Sequence, residues 1–372
     1  MSGIYIHIPF CRSKCAYCSF FSVATKQRSD EVLSSIVKEL SLQRRYLQDE
    51  KVETIYFGGG TPSVIETKQI FIILDAVHQF FTVAENAEIT IEVNPDDASL
   101  DYLSVLSERF NRLSIGIQSF AEDNLLILGR KHHAEHALNA VINARKAGFN
   151  NINIDLIYGI SDNHENWIKT LNTALALSPE HISAYALTIE ERTILQRKIQ
   201  QKKQPSILDN NIEIQYDILI KKLSEGGYDH YEISNFSKPG YASKHNSAYW
   251  NGKEYLGIGP SAHSFNGQIR QWNVSNISDY CQAIAQSEIP AASESLNETD
   301  KYNEYIMLQL RQKCGLTLSN LNHRFGKTLS CHFKDKVRPY ILSGHIINDG
   351  DRFYLPEASF LISDYIISDL FI

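Results

Sequence analysis

Within the first twenty residues, Cys11, Cys15 and Cys18 stand in IPFCRSKCAYCSF at the spacing C-x3-C-x2-C. Thiolates are soft ligands suited to iron–sulfur clusters and to zinc. Three of them on a cubic [4Fe–4S] cluster leave one of its four irons without a protein ligand, open to a small molecule. Two plainer readings stand beside this one: a zinc site lacking its fourth ligand, and thiols that are neighbours without a metal. Zinc knuckles pair C-x2-C units or add a Cys/His complement further along, and none is evident here. Cys281, Cys314 and Cys331 lie far apart and read as buried free thiols rather than ligands.

Further residues suit the binding of a polar ligand. Gly58, Gly59, Gly60, Thr61 and Pro62 form a turn in which glycine lets the backbone approach a ligand closely. No Lys-Ser/Thr follows, and the pattern is not G-x-G-x-x-G, so neither nucleotide loop fits. Glu92, Gln118 and Asp155 fall at or near the ends of strand-like runs, and Arg130 follows the helix after the fourth run. Singly each is a strand-end cap. Together they supply carboxylate, amide and guanidinium groups able to hold hydroxyls, an ammonium and a carboxylate.

The elements that must position these residues alternate in type. Strand-like runs occur at 3–8, 53–58, 88–93, 112–117, 151–158 and 181–187, with helical periodicity between them at 31–47, 68–81, 134–149 and 164–177. Six strands each followed by helix predict an α/β fold, a parallel sheet closed partly or wholly into a barrel, with a doubly wound open sheet as the alternative. The strand ends HIPFC, FGGGTPS, EVNPDD, GIQSF and DLIYG are polar or glycine-rich, and in βα architectures they share the ligand-bearing face. The chain divides into a barrel over 1–235, an aromatic, glycine-rich connecting region over 236–299, and a smaller α+β C-terminal domain over 300–372. That last part has the helix and hairpin order of a winged helix, with a turn at Asp349-Gly350. Its charges nearly balance, so it reads as a structural appendage rather than a DNA reader.

Over 372 residues, 43% hydrophobic and 21% charged content describe an ordinary globular chain. A net charge of −7 argues against a nucleic-acid binder working by bulk electrostatics. With no apolar stretch long enough to span a bilayer and no basic leader before MSGIYIHIPF, a cytoplasmic protein is expected.

YIHIPFCRSKCAYCSF, YFGGGTPS, EVNP, SIGIQSF, LGRKH and NIDLIYG, in this order, resemble the radical S-adenosylmethionine family. Within it they resemble the branch that holds oxygen-independent coproporphyrinogen III oxidases and heme chaperones of the HemW type. The resemblance implies a partial (β/α)6 barrel in which Cys11, Cys15 and Cys18 ligate a [4Fe–4S] cluster and S-adenosyl-L-methionine chelates the open iron. Electron transfer to the sulfonium then releases a 5′-deoxyadenosyl radical. It also implies that Tyr5 and Tyr17 flank the cofactor, that Gly59, Gly60 and Thr61 meet its methionine end, and that Glu92, Gln118, Arg130 and Asp155 bind it. Ala186 would line the adenine pocket.

Two departures weigh against the oxidase. Its pattern carries a further cysteine two residues after the third, where this chain has Phe20, and a substantial segment before the first cysteine, where this chain has ten residues. The chaperone branch is marked by H-N-x-x-Y-W, present as His245 to Trp250. A neutral imidazole ligates heme iron and flat aromatic rings pack on a porphyrin, so His245 is the expected heme ligand, the alternative being a packed loop with His245 hydrogen-bonded internally. His7 and His263 read as structural. The expected function is a heme chaperone that binds heme, the cluster and S-adenosylmethionine and passes heme to an acceptor protein. A flavodoxin or ferredoxin would serve as reductant, and any membrane association would be peripheral, through the acceptor. The rival is oxidative decarboxylation of coproporphyrinogen III; a third reading is a winged-helix iron–sulfur regulator.

Overall fold

The computed structural model describes residues 2–47, 51–204 and 209–372. Six strands, β1 (Ser2–Ile8), β2 (Lys51–Gly59), β3 (Thr82–Val93), β4 (Arg112–Gln118), β5 (Ile152–Tyr158) and β6 (His181–Ala186), alternate with helices, as their periodicities predict. They lie in the order β1-β2-β3-β4-β5-β6 with every neighbouring pair parallel. A doubly wound sheet reverses its strand order at a switch point. This one never reverses, so it winds in one direction as a barrel sector, with helices on the outside.

The strand sequences explain which face goes where. Ile4, Ile6 and Ile8 alternate with Gly3, Tyr5 and His7; Leu113, Ile115 and Ile117 with Arg112, Ser114 and Gly116; Ile152, Ile154 and Leu156 with Asn153 and Asp155. The aliphatic set packs outward against Val32, Ile36, Leu40, Ile70, Ile73, Leu74, Val77, Ala140 and Ala144 of the surrounding helices in one continuous core. Each such side chain contributes about 1.5–3 kcal/mol on burial. The polar and aromatic set faces inward, and Arg112, Gly116, Asn153 and Asp155 of it line a cavity. This explains why the helices run 29–42, 67–80, 134–146 and 164–177 with one apolar stripe each.

An unpaired strand edge exposes backbone N–H and C=O groups, and both edges are covered. Beyond β6 come β8 (Asn235–Ser237) and β7 (Asp229–Glu232), antiparallel. At the other edge β9 (Tyr255–Ile258) pairs parallel with β1, followed by β10 (His263–Phe265), β11 (Ile269–Asn273) and β12 (Ala291–Ser295). Across 236–299 the strands β8 to β12 therefore belong to the twelve-stranded sheet.

The C-terminal part carries β13 (Leu316–Thr317), β14 (Ile347–Asp349) and β15 (Arg352–Tyr354) as a three-stranded antiparallel sheet beside helices 298–310, 318–342 and 363–369. Gly326, at φ 81°, breaks the 318–342 stretch into two helices. Asp349 pairs with Arg352, so the hairpin loop is Gly350-Asp351, one residue beyond the expected turn, with Gly350 at φ 65°. Of the three remote cysteines only Cys281 is buried; Cys314 and Cys331 are exposed free thiols, contrary to expectation. Among the described residues no helix is long and apolar enough to cross a membrane.

Candidate functional site

The cysteine loop follows β1 and is held by its non-cysteine residues. Ala16, between Cys15 and Tyr17, is buried against Leu128, Ile157, Ile160, Leu187 and Leu195. Its N–H donates to Leu128 O (2.9 Å) and its carbonyl accepts from Leu195 N–H (2.8 Å). Cys11 N–H donates to Val23 O (3.0 Å), and Arg12 pairs with Asp97. The glycine turn after β2 meets this loop from below. Gly60 N–H donates to Ile8 O (2.8 Å) and Thr61 N–H to Phe10 O (2.7 Å), and a Cβ on Gly60 would stand 2.7 Å from Phe10 O. Gly59 has φ 110°, and a Cβ there would strike the His7 ring at 2.6 Å. Only glycine fits at both places.

Cys11, Cys15, Cys18, Tyr17, Gly59, Gly60, Thr61, Glu92, Gln118, Arg130, Asp155 and Ala186 all line one cavity of about 670 Å³ at the C-terminal ends of the strands. Thr61 Oγ1 donates to Cys11 Sγ (3.4 Å) and Arg130 Nη1 to Cys15 Sγ (3.3 Å). Burial, and then the neighbouring Cys15 and Cys11, push the Cys18 thiol pKa up. No group of three or more His, Cys, Asp or Glu side chains among the described residues could hold a single metal ion. A cubane takes one thiolate per iron, so three soft donors ranged along a cavity wall fit it. A fourth thiol or a histidine is not among the lining residues, which suits an iron left for a small-molecule ligand. Cys11, Cys15 and Cys18 would hold the cluster, and the glycine turn with Glu92, Gln118 and Asp155 would face the molecule on its open iron.

The polar residues differ in how they are committed. Gly129, at φ 70°, ends the helix 122–128 and turns Arg130 into the cavity. There Arg130 Nη2 donates to Asn94 Oδ1 (3.0 Å) and Gly116 O (2.8 Å), and Nε to His132 Nδ1 (3.3 Å). His132, its pKa lowered to about 3 by burial and then by Arg130, is neutral and donates from Nε2 to Ile117 O (3.1 Å). Arg130 is thus a clamp on Cys15 and on β4 as much as a ligand contact. Tyr56 OH donates to Glu92 Oε1 (2.9 Å). Burial, then the charge of Asp155, raises the Glu92 pKa to about 7, and burial raises that of Asp155. Gln118 sits at φ 69°, a left-handed conformation costly for a residue with a side chain, at the rim itself.

Two expected residues lie elsewhere. Tyr5 does not reach the cavity; it stacks on Tyr56 (6.1 Å between centroids), and its OH meets His7 Nδ1 at 3.3 Å. His245 is not placed as a heme ligand. Its helix, Lys244–Trp250, plugs the opposite end of the barrel, and its ring stacks on Tyr56 at 5.0 Å. Nδ1 is hydrogen-bonded to Thr54 Oγ1 (2.8 Å) and Nε2 to Tyr249 OH (3.0 Å). Burial, then Arg112, lowers its pKa to about 3. The motif contributes Asn246 to the cavity wall instead. His7, as expected, is packed, its Nε2 meeting Phe21 O at 3.0 Å. His245→Ala should therefore destabilise the protein by about 2–4 kcal/mol, since it leaves a hole and strands two buried hydroxyls. Denaturant titration checks this. A variant of wild-type stability that loses only heme would restore the ligand role.

Tyr56, Asn94, Arg112, Asn153, Ser183 and Tyr185 also line the cavity. Their signal was the alternation itself: polar residues at every second position of parallel strands, which in a filled sheet are apolar throughout.

A one-way parallel barrel sector with three thiols and a glycine turn at its rim is the architecture of a radical S-adenosylmethionine protein. The family described as the Radical SAM superfamily matches residues 5–174, and the HemN C-terminal domain matches 296–362. Heme chaperone HemW of Mycobacterium tuberculosis is 31% identical, covering 99% of this chain and 94% of the relative; that of Bacillus subtilis is 31% identical over 98% and 97%. The solved structure of coproporphyrinogen III oxidase (HemN) from Escherichia coli, a radical SAM enzyme, superposes with a TM-score of 0.86 at 25% identity, covering 99% of this chain and 89% of that one. The chain belongs to the radical SAM superfamily and, within it, to the family of the HemW proteins.

Proposed function

We propose that this protein is a heme chaperone: it binds heme, carries a [4Fe–4S] cluster and S-adenosylmethionine in the barrel cavity, and passes heme to an acceptor protein. The observation that carries the reading is end-to-end similarity to relatives named heme chaperones. Phe20, 69% exposed where the oxidase pattern has a further cysteine, agrees with it. Bound at these thiols, a reduced cluster supplies one-electron cleavage of a sulfonium C–S bond. The chain's own part is to orient: Arg130 donates to the Cys15 sulfur, Thr61 donates to that of Cys11, and Glu92 and Asp155 present carboxylates to a cationic ligand. A flavodoxin or ferredoxin would supply the electron, and recruitment to a membrane would come through the acceptor. Heme bound through His245 would first require the 244–250 helix to leave the barrel floor.

The test is titration of anaerobically reconstituted protein with hemin, followed by mixing with an apo-hemoprotein. Saturation near one heme per chain and its transfer are expected; the absence of a saturable Soret change overturns the reading. Coproporphyrinogen III oxidation is the second reading, favoured by the near-complete superposition on the oxidase. Formation of protoporphyrinogen by the reduced protein would establish it instead.

A further inference from the structure

Arg112 opens β4, and the strand's alternation turns it into the barrel with Ser114, Gly116 and Gln118. It is 2% exposed, one of the largest fully buried side chains in the protein. Its Nε is enclosed without a hydrogen-bond partner, and no ion pair or hydrogen bond to its guanidinium exists among the described residues. Arginine cannot shed its proton to escape this situation, and an unpaired buried charge costs several kcal/mol.

The surroundings do not resolve it. His181 and His245, both within reach of its field, are neutral, held so by burial and then by Arg112 itself. Asp155 also feels the charge but spends its oxygens elsewhere, Oδ1 accepting from Asn153 Nδ2 (2.8 Å) and Oδ2 from Ser114 Oγ (3.4 Å). Glu92 is taken by Tyr56. The cavity, however, reaches Arg112, with Tyr56, Asn153, Ser183 and Asn246 around it. Six residue steps along β4 carry the chain from Arg112 to Gln118 at the rim, about 20 Å of strand. The floor is thus a different place from the cysteine loop.

We infer that Arg112 is the anchor of a second subsite, at the barrel floor, that takes the carboxylate group of a small organic acid. A planar guanidinium fork matches a carboxylate in bidentate fashion. A monoanion is favoured over a phosphate because Glu92 and Asp155 share the cavity and a dianion would face both. The inference stands whether or not the protein carries heme.

The experiment follows thermal unfolding of the cluster-reconstituted protein during titration with sodium acetate, with sodium chloride and sodium phosphate as comparators. For wild type, acetate should raise the midpoint saturably by a few degrees beyond chloride. Arg112→Gln should lose that response while its midpoint without acetate equals or exceeds wild type, because an unpaired charge has been removed. Arg112→Lys should keep a weaker response. The acetate effect should persist in saturating S-adenosylmethionine. Four results overturn the subsite: no acetate effect on wild type, a phosphate effect alone, an unaltered acetate effect in Arg112→Gln, or abolition of the effect by S-adenosylmethionine, which would give Arg112 to the cofactor's own carboxylate. Should Arg112→Gln fold poorly, Arg112→Lys decides: a weakened or lost response supports the subsite, and a response equal to wild type overturns it.

Discussion

Replacing Cys15 with alanine is expected to leave a folded but colourless protein. Anaerobic reconstitution of the wild type should yield about four irons and four sulfides per chain and a broad band near 400 nm; Cys15→Ala should fall to background in all three. The argument rests on what holds the loop. Its position comes from Ala16, packed among five apolar side chains and hydrogen-bonded on both sides of its peptide, and from the Phe10–Val23 bridge. None of these uses a thiol, so circular dichroism and the unfolding midpoint of the cluster-free proteins should match within about 1 kcal/mol. Removing Cys15 also strands one donor of Arg130, but its other nitrogens remain bonded to Asn94, Gly116 and His132. The triple variant Cys281→Ala, Cys314→Ala, Cys331→Ala is the matching control and should retain full iron, since none of the three lines the cavity. Full iron in Cys15→Ala, or its loss in the triple variant, would move the metal away from this loop.

The architecture was legible because two periods coexist in the chain. Alternation by two in the strands and by 3.6 between them fixed the order of elements, and the C-x3-C-x2-C spacing fixed the rim. Choosing between a barrel sector and a doubly wound sheet needed the strand order, which no local pattern encodes. The interior was harder for a different reason. Arg112, Asn153 and Ser183 each look like ordinary strand residues, and only the order and register of the neighbouring strands β4, β5 and β6 bring them together with Asp155. The H-N-x-x-Y-W stretch was ambiguous for the opposite reason. Its residue types suit a porphyrin, yet the His245 ring stacks on Tyr56 and the Tyr249 ring meets Tyr255 edge-on when the helix plugs the barrel. Local composition cannot say which partner an aromatic face will meet. That depends on β9 pairing with β1 and drawing the 244–250 helix beneath the sheet.

Glu92→Gln should stabilise the ligand-free protein at alkaline pH and at the same time impair its binding of a cation. Burial, and then the nearby charge of Asp155, lifts the Glu92 pKa to about 7, against about 4.3 for an unperturbed glutamate. The folded state therefore holds this proton more tightly than the unfolded chain. Its stabilising effect is complete below about pH 4.3 and is lost as the pH rises through about 7. Glutamine does not titrate and can still accept from Tyr56 OH. The stability difference between variant and wild type should accordingly grow from near zero at pH 4 towards about 1–3 kcal/mol in favour of the variant at pH 8. Glu232, also raised to about 7, is retained in both proteins and cancels from that difference. Binding should move the other way. A sulfonium or ammonium ligand gains from an ionised Glu92, so wild-type affinity for S-adenosylmethionine should rise more steeply between pH 6 and 8 than that of Glu92→Gln, which should bind about 10-fold or more weakly at pH 8. Denaturant titrations and calorimetric binding at paired pH values read both effects. Parallel pH profiles for the two proteins would mean that Glu92 carries no charge at the ligand. A variant less stable at every pH would mean that its carboxylate serves the fold.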